Sequence, residues 1–204
     1  MPDPAATRRL FVAIWPDPDA IAALRRTVAP ARAAHPDLRW QSEERWHVTL
    51  AFLGQADPDR AATRLDGVLG GVRSGRVPGA EPIRLAGAGT FGPIVWTGVE
   101  HGPWLAELAG AVQQALNAPD RRFRAHVTVG RARGRPADAA RAARTAAGSL
   151  VDHDGPAWLP GEVTLVESTT GPRPAYRVLT RWPLRPAGPD RHARADPAEG
   201  LPEA

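Results

Sequence analysis

Apolar positions along the chain recur at two different periods. Alternation with period two, or a short apolar block bounded by turn residues, predicts strands at 8–15 (RRLFVAIW), 38–41, 46–54 (WHVTLAFLG), 83–90, 94–99, 123–129, 162–168 (EVTLVES) and 176–184 (YRVLTRWPL). Apolar spacing of three and four predicts helices at 17–34, 57–72, 104–116 (WLAELAGAVQQAL) and 137–150. Asp17 and Asp57 supply acidic helix starts, and each is followed by a proline that suits a first turn. Pro30 is expected to interrupt the first helix or end it early. Beyond Arg185 the chain is rich in Pro, Ala, Gly and Asp with almost no large apolar residue, so 186–204 is expected to be a disordered tail. The irregular mixture of helices and strands belongs to the α+β class.

Two of these strands break their own pattern in the same way. WHVTLAFLG carries His47 and Thr49; 79 residues later, AHVTVG carries His126 and Thr128. Residues i and i+2 of a strand share a face, so each His–Thr pair projects to one side while Val48 and Leu50, or Val127 and Val129, anchor the strand from behind. A chain of this composition would contain such a word about 0.06 times by chance. One copy would read as a hydrogen-bonded core histidine; two copies point to a shared site. The order helix, strand, motif strand, helix is loosely echoed in the second half of the chain. That predicts two similar lobes within a single domain over 1–185, each contributing one motif strand to a central cleft.

Paired imidazoles suit acid–base chemistry, because near pH 6.5 one ring can hold a proton while the other accepts one. Threonine hydroxyls and nearby backbone N–H groups can donate to oxygens that gain charge. Phosphodiester displacement needs a base on the attacking side of phosphorus and an acid on the leaving side, which explains drawing the two from different lobes. A zinc site would need a third ligand, and neither word supplies a carboxylate or cysteine in phase, so no metal is expected. His35, His101, His153 and His192 are expected to be solvated surface histidines.

Composition changes this picture in three places. All 26 basic residues are arginine, for a net charge of +4. A GC-rich genome accounts for most of them, but not for the crowding of Arg121, Arg122, Arg124, Arg131, Arg133 and Arg135 around His126. Arg131 is the best placed to clamp a phosphate, although strict alternation puts it on the face opposite His126; it reaches the cleft only if the strand ends or bulges after Val129, which Gly130 permits. Phe52 stands at the same offset from His47 and offers a ring for base stacking, with a core phenylalanine as the equal alternative. The absence of cysteine excludes disulfides and fits a reducing cytosol, so a cytoplasmic location is expected. No apolar run approaches the roughly 20 residues of a membrane span, and MPDPAATRRLFVAIW lacks a signal-peptide pattern.

The two H-V-T-[LV] words resemble the paired signatures of the two-histidine (2H) phosphoesterases. RLFVAIWP, LRWQSEERWHVTLAFLG, GTFGPIVWTGV, FRAHVTVGRAR and VTLVESTTGPRPAYRVLTRWPL extend the resemblance to the RNA 2′,3′-cyclic phosphodiesterases, historically called 2′-5′ RNA ligases, over residues 8 to about 185. The resemblance implies a bilobal, pseudo-symmetric α+β fold in which two antiparallel sheets line a central cleft and helices lie outside. It implies cofactor- and metal-independent opening of a terminal 2′,3′-cyclic phosphate to a 2′-phosphate, with weaker reverse 2′-5′ joining. His47 would be the general acid and His126 the general base; Thr49, Thr128 and Arg131 would hold the phosphate, and Phe52 would stack on the terminal base. The implied partner is an RNA end, tRNA fragments among the candidates, met by a monomer. The chain departs from the family pattern at Ala125, where proline is usual, at Val129, where leucine is usual, and at Gly130, often alanine. Two other functions stay open at this level: hydrolysis of small cyclic nucleotides or ADP-ribose cyclic phosphate, and a non-catalytic module that binds RNA ends.

Overall fold

A first strand, β1 (Arg8–Ile14), buries its whole second half. It gives way to helix α1 (Pro18–Ala34), where the Asp17 side chain accepts a hydrogen bond from the backbone N–H of Ala20 at 2.8 Å and Pro18 occupies the first turn. The helix runs through Pro30 to Ala34, which corrects the expected break. Then follow β2 (Arg39–Trp40), β3 (Val48–Ala56), α2 (Pro58–Arg73), β4 (Ile83–Phe91), β5 (Ile94–Glu100), α3 (Pro103–Leu116) and β6 (His126–Arg131). The chain closes with α4 (Pro136–Gly148), β7 (Asp154–Trp158), β8 (Glu162–Ser168) and β9 (Tyr176–Pro183). Asn117 ends α3 in the left-handed conformation at φ 48°, one that asparagine tolerates better than most residues. This computed structural model describes residues 7–73, 80–119, 122–169 and 175–184; the tail expected at 186–204 lies outside them.

All pairings are antiparallel, in the order β7-β4-β5-β6-β3-β1-β8-β9, with β2 added beside β6. The two halves of this sheet meet at the motif strands through one paired position, Val48 with Val127. The lobes are thus joined edge to edge rather than separate. They are also not the two halves of the chain, as the sequence order suggested. One lobe takes β1, β3, β8 and β9; the other takes β2 and β4–β7. The helices interleave as well: α1 and α4 lie over β4, β5 or β7, while α2 contacts β9 and α3 packs on β3. Strand β7, DGPAW, is not expected from the sequence, because its Gly-Pro pair reads as a turn.

Leu10, Val12, Ile14, Val48, Leu50, Val127 and Val129 form one buried cluster with apolar residues of all four helices. The alternate residues Phe11 and Ala13 point to the other face and join Val166, Trp15 and Tyr176 in a small second cluster. The helices therefore pack on the core face of the sheet, opposite the His–Thr pairs. No helix among the described residues is long and apolar enough to cross a membrane.

Candidate functional site

Both motif strands are anchored as their alternation dictates. Val48, Leu50, Val127 and Val129 are buried, while Thr49 and Thr128 are half-buried on the opposite face. The pairing of β3 with β1 then skips a residue. Thr49 faces Ala13 and Ala51 faces Val12, which leaves Leu50 without a partner on β1. This bulge advances the strand's phase by one. Phe52, odd in offset from His47, then lands opposite Phe11 on the cleft face, where it is 57% exposed.

The second copy repeats this at the same place in the word. Thr128 faces Trp96 of β5 and Gly130 faces Val95, so Val129 is the bulged residue. The phase shift carries Arg131 to the cleft face. Gly130 is not needed for its backbone angles; its value lies in close packing, since a Cβ there would come within 3.1 Å of the Trp40 ring. Each bulge leaves a carbonyl looking for a donor, and each finds one. The Gln113 side chain of α3 donates to the Leu50 carbonyl at 2.8 Å, and the Gln41 backbone N–H donates to the Val129 carbonyl at 2.8 Å.

The imidazoles are held alike. His47 Nδ1 lies 2.8 Å from the carbonyl of Arg45, and His126 Nδ1 lies 2.6 Å from that of Arg124. A carbonyl can only accept, so Nδ1 carries the hydrogen and Nε2 is left for proton transfer. Each ring sits among aromatics: His47 stacks on Phe11 at 4.7 Å and meets Trp15 and Tyr176, while His126 meets Phe91 edge-on at 5.0 Å and Trp96 at 6.2 Å. The two arginines whose carbonyls hold the imidazoles also lie against aromatic rings, Arg45 over Tyr176 and Arg124 over Phe91.

Burial pushes both histidines below the ordinary value. His47 falls to about 4, chiefly through desolvation, helped by repulsion from His126 and Arg45 and opposed by its bond to the Arg45 carbonyl. His126 is lowered by burial against the pull of the Arg124 carbonyl. The repulsion registered at His47 means that the two rings sense each other's charge.

A groove of about 970 Å³ opens on this face. Thr49, Phe52, His126 and Arg131 line it directly, together with Phe11, Phe91, Tyr176 and Arg124. His47 and Thr128 are half-buried on the same face and are not among its lining residues. Of the arginine cluster, Arg133 and Arg135 do not line the groove, and Arg121 lies outside the described residues. His101 is exposed and His35 half-buried. His153 corrects the expectation of a solvated surface residue: it is 5% exposed, with Nδ1 2.9 Å from the Thr27 hydroxyl of α1. It immediately precedes β7, the strand the sequence hid. Among the described residues no three His, Asp or Glu side chains gather in a metal-holding group.

Sequence reasoning missed the aromatic shell and Arg45, and it placed Arg124 near His126 without its contact with Phe91. One signal was present: aligning the two words extends them to Arg-x-His-Val-Thr, with Arg45 and Arg124 at matching positions. Tyr176 and Phe91 had no such signal, since they come from distant strands.

The sequence profile of the 2'-5' RNA ligase superfamily matches residues 17–171. An RNA 2',3'-cyclic phosphodiesterase of Geobacillus stearothermophilus is 32% identical over 131 residues, covering 59% of this chain and 41% of that protein. The chain thus spans less than half the length of that relative. Among solved structures, TT0787 of Thermus thermophilus superposes with a TM-score of 0.64 at 24% identity, over 88% of this chain and 100% of that one. E. coli LigT complexed with phosphate gives 0.59 at 25% identity, over 88% and 99%.

Proposed function

Because the chain belongs to the 2'-5' RNA ligase superfamily, we propose that it hydrolyses the 2′,3′-cyclic phosphate at an RNA end to a 2′-phosphomonoester. The observation that carries this reading is the doubled, bulged motif strand, which turns an imidazole, a threonine and a residue five positions on from each lobe to one face. The name of the Geobacillus relative supports the substrate class.

In the reaction, water attacks phosphorus and gives its proton to His126. The bond from phosphorus to O3′ breaks, and O3′ takes a proton from His47. Thr49, Thr128 and Arg131 hold the phosphate oxygens, and Phe52 stacks on the terminal base. Catalysis therefore uses the singly protonated form in which His47 holds the proton and His126 is neutral, against the burial that depresses both rings in the empty groove, His47 to about 4. The anionic phosphate of the bound substrate favours the protonated form of an adjacent imidazole, and the mechanism requires that this pull act more strongly on His47 than on His126, which must stay neutral to accept water's proton.

An RNA ending in a 2′,3′-cyclic phosphate, offered in excess EDTA, tests the proposal. The expected product carries a 2′-phosphate. A 3′-phosphate would reverse the leaving oxygen and the assignment of the two histidines, and no product at all would sink the reading.

A further inference from the structure

Arginine is so common in this chain that its presence in the groove means little by itself. The absence of its usual partners means more. Arg9, Arg122, Arg124 and Arg131 line the groove, and no Asp or Glu among the described residues does, in a chain that contains 22 of them. Elsewhere arginines meet carboxylates: Arg25 with Glu43 at 2.6 Å, Arg84 with Asp154 at 2.9 Å, Arg177 with Glu167 at 2.6 Å. Arg8 and Arg9 show the contrast within one dipeptide. Arg8 pairs with Glu167 at 3.4 Å, whereas Arg9 points to the other face of β1 and lines the groove.

The register of β1 locates Arg9 relative to the candidate chemistry. Along the cleft face run Ala13 opposite Thr49, then Phe11 opposite Phe52, then Arg9 opposite Gln55. Phe11 is the ring beneath His47. Arg9 stands two residues further, about 7 Å along the strand. Resting on the proposed function, the cyclic phosphate sits at the histidines and the terminal base at Phe52. The next negative charge on an RNA chain is the phosphate on O5′ of that same terminal nucleotide, and it leaves the ribose on the side away from the cyclic phosphate. A cation one step beyond the base platform, with no acid among the described residues to neutralise it, is in position to meet it.

We propose that Arg9 forms a subsite for the phosphate on O5′ of the terminal nucleotide, so that the groove selects RNA ends over nucleoside 2′,3′-cyclic phosphates. The recognised group is a phosphate oxygen pair, which either an internal phosphodiester or a terminal 5′-monophosphate can present.

Three substrates distinguish the sources: adenosine 2′,3′-cyclic phosphate, the same compound with a 5′-phosphate, and a dinucleotide ending in it. The expected wild-type kcat/KM is about tenfold higher for the second and third than for the first. Arg9→Gln should bring that ratio towards one, and Arg8→Gln should leave it as in the wild type. Equal rates on all three substrates, or a ratio that survives Arg9→Gln, would overturn the subsite. A preference for the dinucleotide alone would also overturn it, because recognition would then lie in the preceding ribose or base. If none of the three is turned over, the proposed function fails, yet the subsite is still decided. The same compounds are then compared as competitors of a labelled 5′-phosphorylated oligonucleotide, and the same loss of ratio in Arg9→Gln is required.

Discussion

Val48 and Val127 pair antiparallel at the centre of the sheet, and they are the one position where the two motif strands meet. One step to either side, the register sets His47 across from Thr128 and Thr49 across from His126. The site is therefore a local twofold about that one pair, with the His and Thr of each word on the side opposite the buried valines. Such a unit should fail as a unit. His47→Ala and His126→Ala are each expected to lower kcat/KM by at least about 10²-fold, and the double variant to be little worse than the poorer single one. Losses that multiply would show that the histidines act independently.

The pH profile follows from the two depressed imidazoles. Each is lowered from 6.5, His47 to about 4, so the singly protonated pair of the free enzyme exists in a window below 6.5. Because kcat/KM reports the free enzyme, its bell should peak between pH 4 and 6.5, with limbs that belong to the coupled pair. The kcat profile reports the complex, where the bound phosphate favours both protonated rings, so it should peak at higher pH. A kcat/KM maximum above pH 7 would contradict the burial of this pair.

Gln113 lines the groove and also braces its wall. Its side chain satisfies the Leu50 carbonyl that the bulge strands, and the bulge is what turns Phe52 into the groove. Gln113→Leu keeps the apolar volume and removes the donor. It should cost about 1 kcal/mol of stability and raise KM more than it lowers kcat, as Phe52 loses its fixed position. An unchanged KM, with a crystal structure showing the bulge intact, would show that the sheet holds the bulge alone.

Phe52 itself can be removed without disturbing the core, since more than half of its surface is exposed. Phe52→Ala should raise KM for an RNA end by about tenfold, and Phe52→Trp should restore most of it, because stacking on an aromatic ring contributes about 1–3 kcal/mol per base. If leucine serves as well as tryptophan, the contact is apolar packing rather than stacking.

Much of this site could be read from the sequence because it obeys a strand's simplest rule. Period two alone placed His47 with Thr49 and His126 with Thr128, and the burial of Val48 and Val127 agrees. The same rule misplaced Phe52 and Arg131 by one step, since a bulge at Leu50 or Val129 is a property of pairing with a neighbour and leaves no mark on composition. The lobes were misassigned for a related reason. Which helix covers which strands depends on crossovers between distant segments, whereas local order along the chain suggested two sequential halves. Tyr176 and Phe91 reach the histidines through pairings of that long-range kind.

His153 carries the last expectation, one of stability rather than activity. Its ring is buried between α1 and β7, where Nδ1 meets the Thr27 hydroxyl and Nε2 has no hydrogen-bond partner among the described residues. Burial lowers its pKa, opposed by the carboxylate of Asp154, which is itself paired with Arg84. Above pH 6.5 the ring is neutral in both the folded and the unfolded chain, and its contribution is fully present. As the pH falls below 6.5 the unfolded chain binds a proton that the folded ring resists, so stability declines until the folded pKa is passed. His153→Gln can still bond to Thr27 but does not titrate. Its Tm should fall less than that of the wild type between about pH 7 and pH 5, with a residual fall from His47 and His126, which are depressed in the same sense. Equal falls in Tm would show that His153 takes up its proton in the folded chain as readily as in the unfolded one.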